Sequence, residues 1–210
     1  LMEKLRGAKG TQVKLTIQRD DEEEPRDFIV TRNTITLPSV DVSYMIDPQT
    51  GYIKVGCFTE HTFSEFEAAF HRLQQQNMTR LLLDLRGNPG GYMDMAVQLV
   101  NKVLREDQLI VYMQGKTDHF TQKYYAQGED DFAKHPIVVL INEDTASAAE
   151  IVAGSLQDND RALIVGRRSF GKGLVQTLIP LHDGAQLKLT IARYYTPSGR
   201  FIQKPYGEES

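Results

Sequence analysis

The run Leu81-Leu-Leu-Asp-Leu85 constrains the fold of this chain more than any other segment. It is short and almost continuously apolar, as expected of a strand covered on both faces. Helical spacing flanks it on either side. Phe63, Phe66, Phe70 and Leu73 precede it, with Thr62 or Ser64 near the helix start, and Met93, Ala96, Val97, Val100 and Leu104 follow it. Residues 109–113 and 137–141 read as further buried strands, and Ile151, Val152 and Leu156 mark a third helix. Residues 162–165, 174–178 and 187–194 read as strands, the last alternating cleanly. Residues 40–45 and 52–58 read as strands around an Asp47-Pro-Gln-Thr-Gly51 turn. Strands alternating with helices predict an α/β core with parallel pairing.

The first part of the chain has a different texture. Val13, Leu15 and Ile17 alternate with polar neighbours over residues 11–19, which predicts a half-buried strand. The acidic run from Asp20 to Glu24, with Pro25, predicts a solvated turn, and residues 28–31 the return strand of a hairpin. Residues 34–38 read as a linker, giving two parts, 1–33 and 34–210. Residues 114–134 are polar and carry no clear period; a stretch of this kind is a flap over a site or a mobile loop. The chain opens on Leu1-Met-Glu-Lys-Leu5-Arg6, read as a helix ended by Gly7, so the sequence is expected to be a piece of a longer protein.

Composition removes several functions. A net charge of −4 argues against a nucleic-acid binder, which would carry a basic face. No apolar run approaches the ~18 residues of a membrane helix. Cys57 is the only cysteine, so it forms no internal disulfide. His61, His71, His119, His135 and His182 fall in no Ser-His-Asp or metal-binding pattern, and there is no G-x-S-x-G or H-E-x-x-H motif. The five are read as surface residues.

Three segments carry possible chemistry. Arg86-Gly-Asn-Pro-Gly-Gly91 joins the strand at Leu85 to the helix that follows. Its glycines can bring bare N–H groups to a helix start, where a developing negative charge is favoured; the plain alternative is an ordinary βα turn. Ser147 stands where an apolar strand gives way to a helix, between Ala146 and Ala148-Ala149. A serine there is a helix cap or a nucleophile, and Thr145 could take the capping role. Lys172 follows Gly171 and precedes Gly173 on the loop after the next strand. Gly166 to Lys172 also fits the first seven positions of a phosphate-binding loop. Gly173 then replaces the required Ser or Thr, and a strand follows where such a loop needs a helix.

Taken together, these segments are more specific. Leu82-Leu-Asp-Leu-Arg86-Gly-Asn-Pro-Gly-Gly91, Thr145-Ala-Ser147-Ala-Ala-Glu-Ile-Val-Ala-Gly154, Asp158-Asn-Asp-Arg-Ala162, Val165-Gly-Arg-Arg-Ser-Phe-Gly-Lys172-Gly-Leu-Val-Gln176 and Tyr194-Tyr-Thr-Pro-Ser-Gly-Arg200 occur in this order. From about Thr34 onward the chain closely resembles the carboxyl-terminal processing peptidases, or tail-specific proteases. The resemblance implies a crotonase-like α/β core preceded by the last portion of a PDZ domain in residues 1–33. It implies a Ser-Lys serine endopeptidase that needs no cofactor, with Ser147 as nucleophile, Lys172 as general base and Gln176 orienting the lysine. The backbone N–H of Ala148 and one from Gly90 or Gly91 match the family's oxyanion donors. The implied partners are protein or peptide substrates bound through their C-termini, with an oligomer possible. The implied location is the bacterial periplasm or cell envelope. A catalytically silent peptide-binding homologue is the alternative. Relatives often read Ala-Ser-Glu after the nucleophile, where this chain has Ala148-Ala149-Glu150. A lysine accepts a proton only when neutral, a state that burial favours; Phe170, Leu174 and Val175 are the candidate apolar neighbours.

Overall fold

The computed structural model describes residues 2–34, 38–128 and 131–205. The chain divides into two compact units, residues 1–37 and 38–210. Most of the expected linker, residues 35–37, lies outside the described residues, as do residues 129 and 130 of the polar stretch.

The first unit is a short helix, α1 (Met2–Leu5), followed by an antiparallel hairpin of β1 (Gln12–Ile17) and β2 (Arg26–Thr31). Two strands cannot cover their own faces. Val13 and Leu15 are only half-buried, and Phe28, Ile29 and Val30 are exposed. Arg32 ties the unit together by donating to the carbonyls of Lys4, Leu5 and Gln12.

The second unit contains β3 (Val40–Met45), β4 (Thr50–Val55), α2 (Thr62–Gln74), β5 (Arg80–Asp84), α3 (Met93–Asn101), β6 (Leu109–Gly115), β7 (Gln122–Tyr125), β8 (Ile137–Ile141), α4 (Ala148–Asp158), β9 (Leu163–Gly166), β10 (Leu174–Pro180) and β11 (Gln186–Tyr195). Five strands form one sheet in the order β3-β4-β5-β8-β9. Its β4–β5, β5–β8 and β8–β9 pairs are parallel, and β3–β4 is antiparallel. The α/β expectation therefore holds for this sheet. It fails for residues 109–115, 174–180 and 186–195, which build a separate antiparallel sheet in the order β10-β11-β6-β7. Residues 114–134 supply β7 and two short 3₁₀ turns, so part of that stretch is sheet.

The core lies between the five-stranded sheet and its helices. Phe66, Phe70 and Leu73 of α2 and Leu99 and Val100 of α3 meet Ile53, Val55, Leu81, Leu83 and Val139 of the strands. Every residue of α4 from Ala148 to Leu156 is buried, as its small and apolar sequence dictates. The sheet is not covered equally on both faces. The row Tyr44, Tyr52, Leu82, Val138 and Leu163 runs across all five strands, with its middle three half-buried and both ends exposed.

Candidate active site

Three loops converge at the carboxyl ends of the parallel strands, the usual place for a site in an open α/β sheet. The loop after β5 and the loop after β8 are stitched together. Gly87 N–H donates to Asn142 Oδ1 at 2.8 Å, Ala146 N–H to the Asn88 carbonyl at 2.9 Å, and Thr145 Oγ1 to the Leu85 carbonyl at 2.9 Å. Thr145 is thus fully occupied between strands and does not cap α4. Asn88 is fully buried; its amide donates to the Val55 carbonyl and its Oδ1 accepts Gly90 N–H, both at 2.8 Å.

Asp84 anchors the start of the first loop. It takes two side-chain nitrogens and the N–H of Arg86, and accepts the Tyr52 hydroxyl at 2.7 Å. Burial works to raise the Asp84 pKa, and the Arg86 and Tyr52 hydrogen bonds outweigh it, so the net shift is downward.

Ser147 is the N-cap residue of α4, with φ 57° and ψ −117°. That left-handed φ is strained for a residue with a side chain. Gly90 packs directly beneath it: a Cβ there would stand 2.7 Å from Ser147 Cβ and 3.0 Å from Ala148 N. The N–H of Gly90 is spent on Asn88. The N–H groups of Ala148, the first residue of the helix, and of exposed Gly91 have no hydrogen-bond acceptor among the described residues. Of the two candidate glycines, Gly91 is the one with a donor to offer. Its own position is tight, since a Cβ would fall 2.0 Å from the Phe58 carbonyl oxygen.

The third loop brings Lys172. Its anchor is Glu150, one turn into α4 and only 2 % exposed. Glu150 Oε2 accepts Ser147 N–H at 2.9 Å and Lys172 N–H at 2.8 Å. Glu150 Oε1 accepts Ser169 Oγ and Gly171 N–H, both at 2.7 Å. The backbones of Ser147 and Lys172 are therefore held within two hydrogen-bond lengths of each other by one oxygen atom. Phe170 N–H donates to the Thr145 carbonyl at 3.0 Å, binding the same two loops again. Residues 203 and 204 strap the far side, through Lys204 N–H to the Gly171 carbonyl and Gln203 Oε1 to Gly173 N–H. Tyr194 of β11 completes the enclosure by donating its hydroxyl to the Lys172 carbonyl.

The Lys172 side chain is half-buried, and its amine has no hydrogen-bond or ion-pair partner among the described residues. Among the described residues no carboxylate clasps it. Two of the expected neighbours stand otherwise. Phe170 is 58 % exposed, whereas Leu174 and Val175 are half-buried. Gln176 is exposed, and its amide donates to Thr190 Oγ1 at 3.4 Å, not to the lysine. The register shifts between Val175 and Gln176, and Gln176 lies opposite Thr190 on β11.

The remaining shared motifs are structural fasteners. Asp158, at the end of α4, accepts Ser198 Oγ at 2.6 Å and Ser198 N–H at 3.0 Å, and it pairs with Arg200. Arg161 donates to the carbonyls of Val103, Phe132 and His135. Glu150, Asn88 and Tyr194 carry no role in the sequence reading. Ser147-x-x-Glu150 is a capping-box pattern, and that signal points to Glu150. Among the described residues there is no cluster of metal-ligating side chains and no helix long and apolar enough to cross a membrane.

The family model of peptidase family S41 matches residues 49–208. The chain belongs to this family. A carboxy-terminal-processing protease from Bartonella bacilliformis is 42% identical over 206 residues, covering 96% of this chain and 47% of the relative. A carboxyl-terminal-processing protease from Synechocystis is 40% identical, with the same two coverages. The chain thus spans about half the length of the curated relatives it matches. Among solved structures, a photosystem II D1 C-terminal processing protease superposes with a TM-score of 0.70 at 32% identity, covering 94% of this chain and 54% of that one. The resemblance read from the five motifs is borne out.

Proposed function

We propose that this chain carries the catalytic core of a serine endopeptidase of the carboxyl-terminal processing type. The observation that carries the reading is the shared Glu150 oxygen, which fixes a strained serine and a glycine-flanked lysine loop side by side. Beside them, the N–H groups of Ala148 and Gly91 stand without acceptors among the described residues. In this scheme Lys172 Nζ takes the Ser147 proton as Oγ bonds to the carbonyl carbon of the substrate. The oxyanion that forms is received by the N–H groups of Ala148 and Gly91. The C–N bond then breaks, the lysine's proton goes to the leaving nitrogen, and water releases the acyl group from Ser147.

The fold of the core is crotonase-like in this reading, and residues 1–33 are the closing segment of a PDZ domain whose remainder captures the substrate's terminal carboxylate. The substrates are proteins or peptides cleaved near their C-termini, and the location is the bacterial periplasm or envelope. Gln176 orients the lysine only in a state in which it has left Thr190. The alternative, a silent peptide-binding homologue, draws on the unpartnered amine and on Gln176 facing away from it.

Peptide turnover by the full-length protein tests the choice. Lys172→Ala is expected to abolish it, and Gln176→Ala to lower kcat by about tenfold, less than the ~10²–10⁴-fold of a group that itself moves the proton, because Gln176 acts only through the lysine. Near-normal turnover in Lys172→Ala would remove the lysine from the mechanism. No turnover in the native full-length protein on any peptide with a free C-terminus would favour the silent homologue.

A further inference from the structure

A cleft of about 450 Å³ opens between the end of β6 and β11, with Gln114, Lys116, Thr190, Arg193 and Tyr195 in its lining. Among the described residues no Asp or Glu lines it. Arg193 lies opposite Gln114 of β6 and opposite Leu174 of β10. Its guanidinium stands 5.2 Å from the centroid of the Phe201 ring, a contact that restrains it and uses none of its N–H donors. Neither the Arg193 nor the Lys116 side chain has an ion-pair or hydrogen-bond partner among the described residues. The nearest carboxylate in sequence, Asp118, pairs with neither of them. Thr190 Oγ1 accepts from Gln176 Nε2 at 3.4 Å, which leaves its own proton to give. The cleft is thus rich in donors and positively charged, on a chain whose net charge is −4.

The cleft adjoins the base loop. Leu174, the cross-strand neighbour of Arg193, comes two residues after Lys172. With ~3.3 Å per strand residue and ~4.8 Å between strands, Arg193 lies about 8 Å from the Lys172 backbone. Phe201 bridges the two, since a Cβ at Gly173 would stand 3.2 Å from Phe201 Cε2. We propose that this cleft is a subsite for a carboxylate of the substrate, lying within about four residues of the bond cut at Ser147, a stretch of ~13 Å in an extended peptide. The carboxylate is that of an Asp or Glu side chain or of the chain terminus. The Arg193 fork matches its two oxygens, and Lys116 adds a point charge. The subsite selects and aligns substrate, and it takes no part in breaking the bond.

This inference rests on the Ser147–Lys172 peptidase reading, and its test separates the two. The full-length protein is given one amidated peptide carrying Glu, Gln or Lys in turn at each of the four positions on either side of the cut. At one or two positions kcat/KM for Glu should exceed that for Gln by about fivefold, chiefly through KM, the upper end for a solvent-exposed ion pair. Lys should fall below Gln there, and the preference should shrink as salt rises. Arg193→Gln should bring the Glu-to-Gln ratio to about one, and Lys116→Gln should lower it. A second arm compares free and amidated C-termini placed two to four residues past the cut. A preference for the free end that Arg193→Gln abolishes would make the chain terminus the occupant. Equal rates for Glu and Gln at every position, and for free and amidated ends, would overturn the subsite and leave the dyad standing. So would a preference that persists in Arg193→Gln. If that variant does not fold, Arg193→Lys keeps the charge and loses the fork; a lower ratio supports the subsite, and an unchanged ratio overturns it. A native protein that cuts no peptide of the set would overturn the peptidase reading and the subsite together.

Discussion

Replacing Glu150 by Gln is the most revealing single change in this structure. The carboxylate accepts four hydrogen bonds, two on each oxygen, from Ser147, Ser169, Gly171 and Lys172. An amide of the same shape keeps one accepting oxygen and turns the other into a donor. With its nitrogen on the Ser169 side the amide can donate to the Ser169 hydroxyl, which turns to accept, so one donor, Gly171 N–H, is left facing an N–H₂ group in a site that is 2 % exposed. Leaving a buried donor unsatisfied costs about 1–3 kcal/mol. That is a sizeable share of the ~5–15 kcal/mol by which a domain is stable. Ser147 and Lys172 then share a neutral amide oxygen in place of a carboxylate, so the charge-assisted bonds that set their spacing weaken. We expect Glu150→Gln to lose about 2–3 kcal/mol in urea unfolding at pH 7. The fraction still folded should acylate Ser147 about 100-fold more slowly, near 2.7 kcal/mol in barrier. A variant within ~1 kcal/mol of native stability and with the native acylation rate would refute the idea that this carboxylate sets the site.

Other predictions concern strain, the second oxyanion donor and acid. Ser147→Gly and Ser147→Ala should both lack activity, but the glycine accepts φ 57° freely and should be more stable than the alanine by about 1 kcal/mol; thermal unfolding measures the difference, and equal stability would argue against backbone strain. Gly91→Ala places a Cβ 2.0 Å from the Phe58 carbonyl. It should displace the free N–H and lower kcat by about 10²-fold with KM less affected, as for loss of one oxyanion donor; an equal change in both would point to a binding role. Asp84 and Asp158 both have depressed carboxyl pKa values, in each case because hydrogen bonds outweigh a burial effect that works to raise them. Their contribution to stability is complete above the ordinary carboxylate value of ~3.9 and is lost as pH falls through the folded values. Asp84→Asn should therefore be less stable at pH 7 and show a shallower loss in denaturation titrations below pH ~4; parallel curves would show that Asp84 is not linked to acid unfolding.

The parallel sheet and its helices were legible because their apolar periods differ: Leu81 to Leu85 cannot pack as Phe63, Phe66, Phe70 and Leu73 do. Membership of the second sheet was not, since a strand such as residues 109–115 has the same local pattern whichever sheet it joins. Open faces were hidden for a similar reason. Leu163 reads as core by type and is 65 % exposed at the edge strand β9. At the candidate site, Ser147, Lys172, Ala148 and the Gly90-Gly91 pair stand out in the sequence by loop composition and family likeness, while the choice between the two glycines needs the fold. Gln176 bonds to its cross-strand partner Thr190, and that pairing, past a register shift, is invisible in the residue order. Tyr194 lies twenty-two residues from Lys172 in sequence, and only the return of β11 along β10 brings its hydroxyl to that carbonyl.

The claim at the centre of this account is that the Lys172 amine activates the Ser147 hydroxyl. The most direct measurement is the rate and position of fluorophosphonate acylation in the full-length protein, compared with Lys172→Met, which keeps an unbranched side chain one atom shorter and removes its base. The account predicts acylation on Ser147 alone, at least about 100-fold slower in Lys172→Met, within the usual range for loss of a general base. Equal rates in the two proteins, or acylation at another residue, would contradict it.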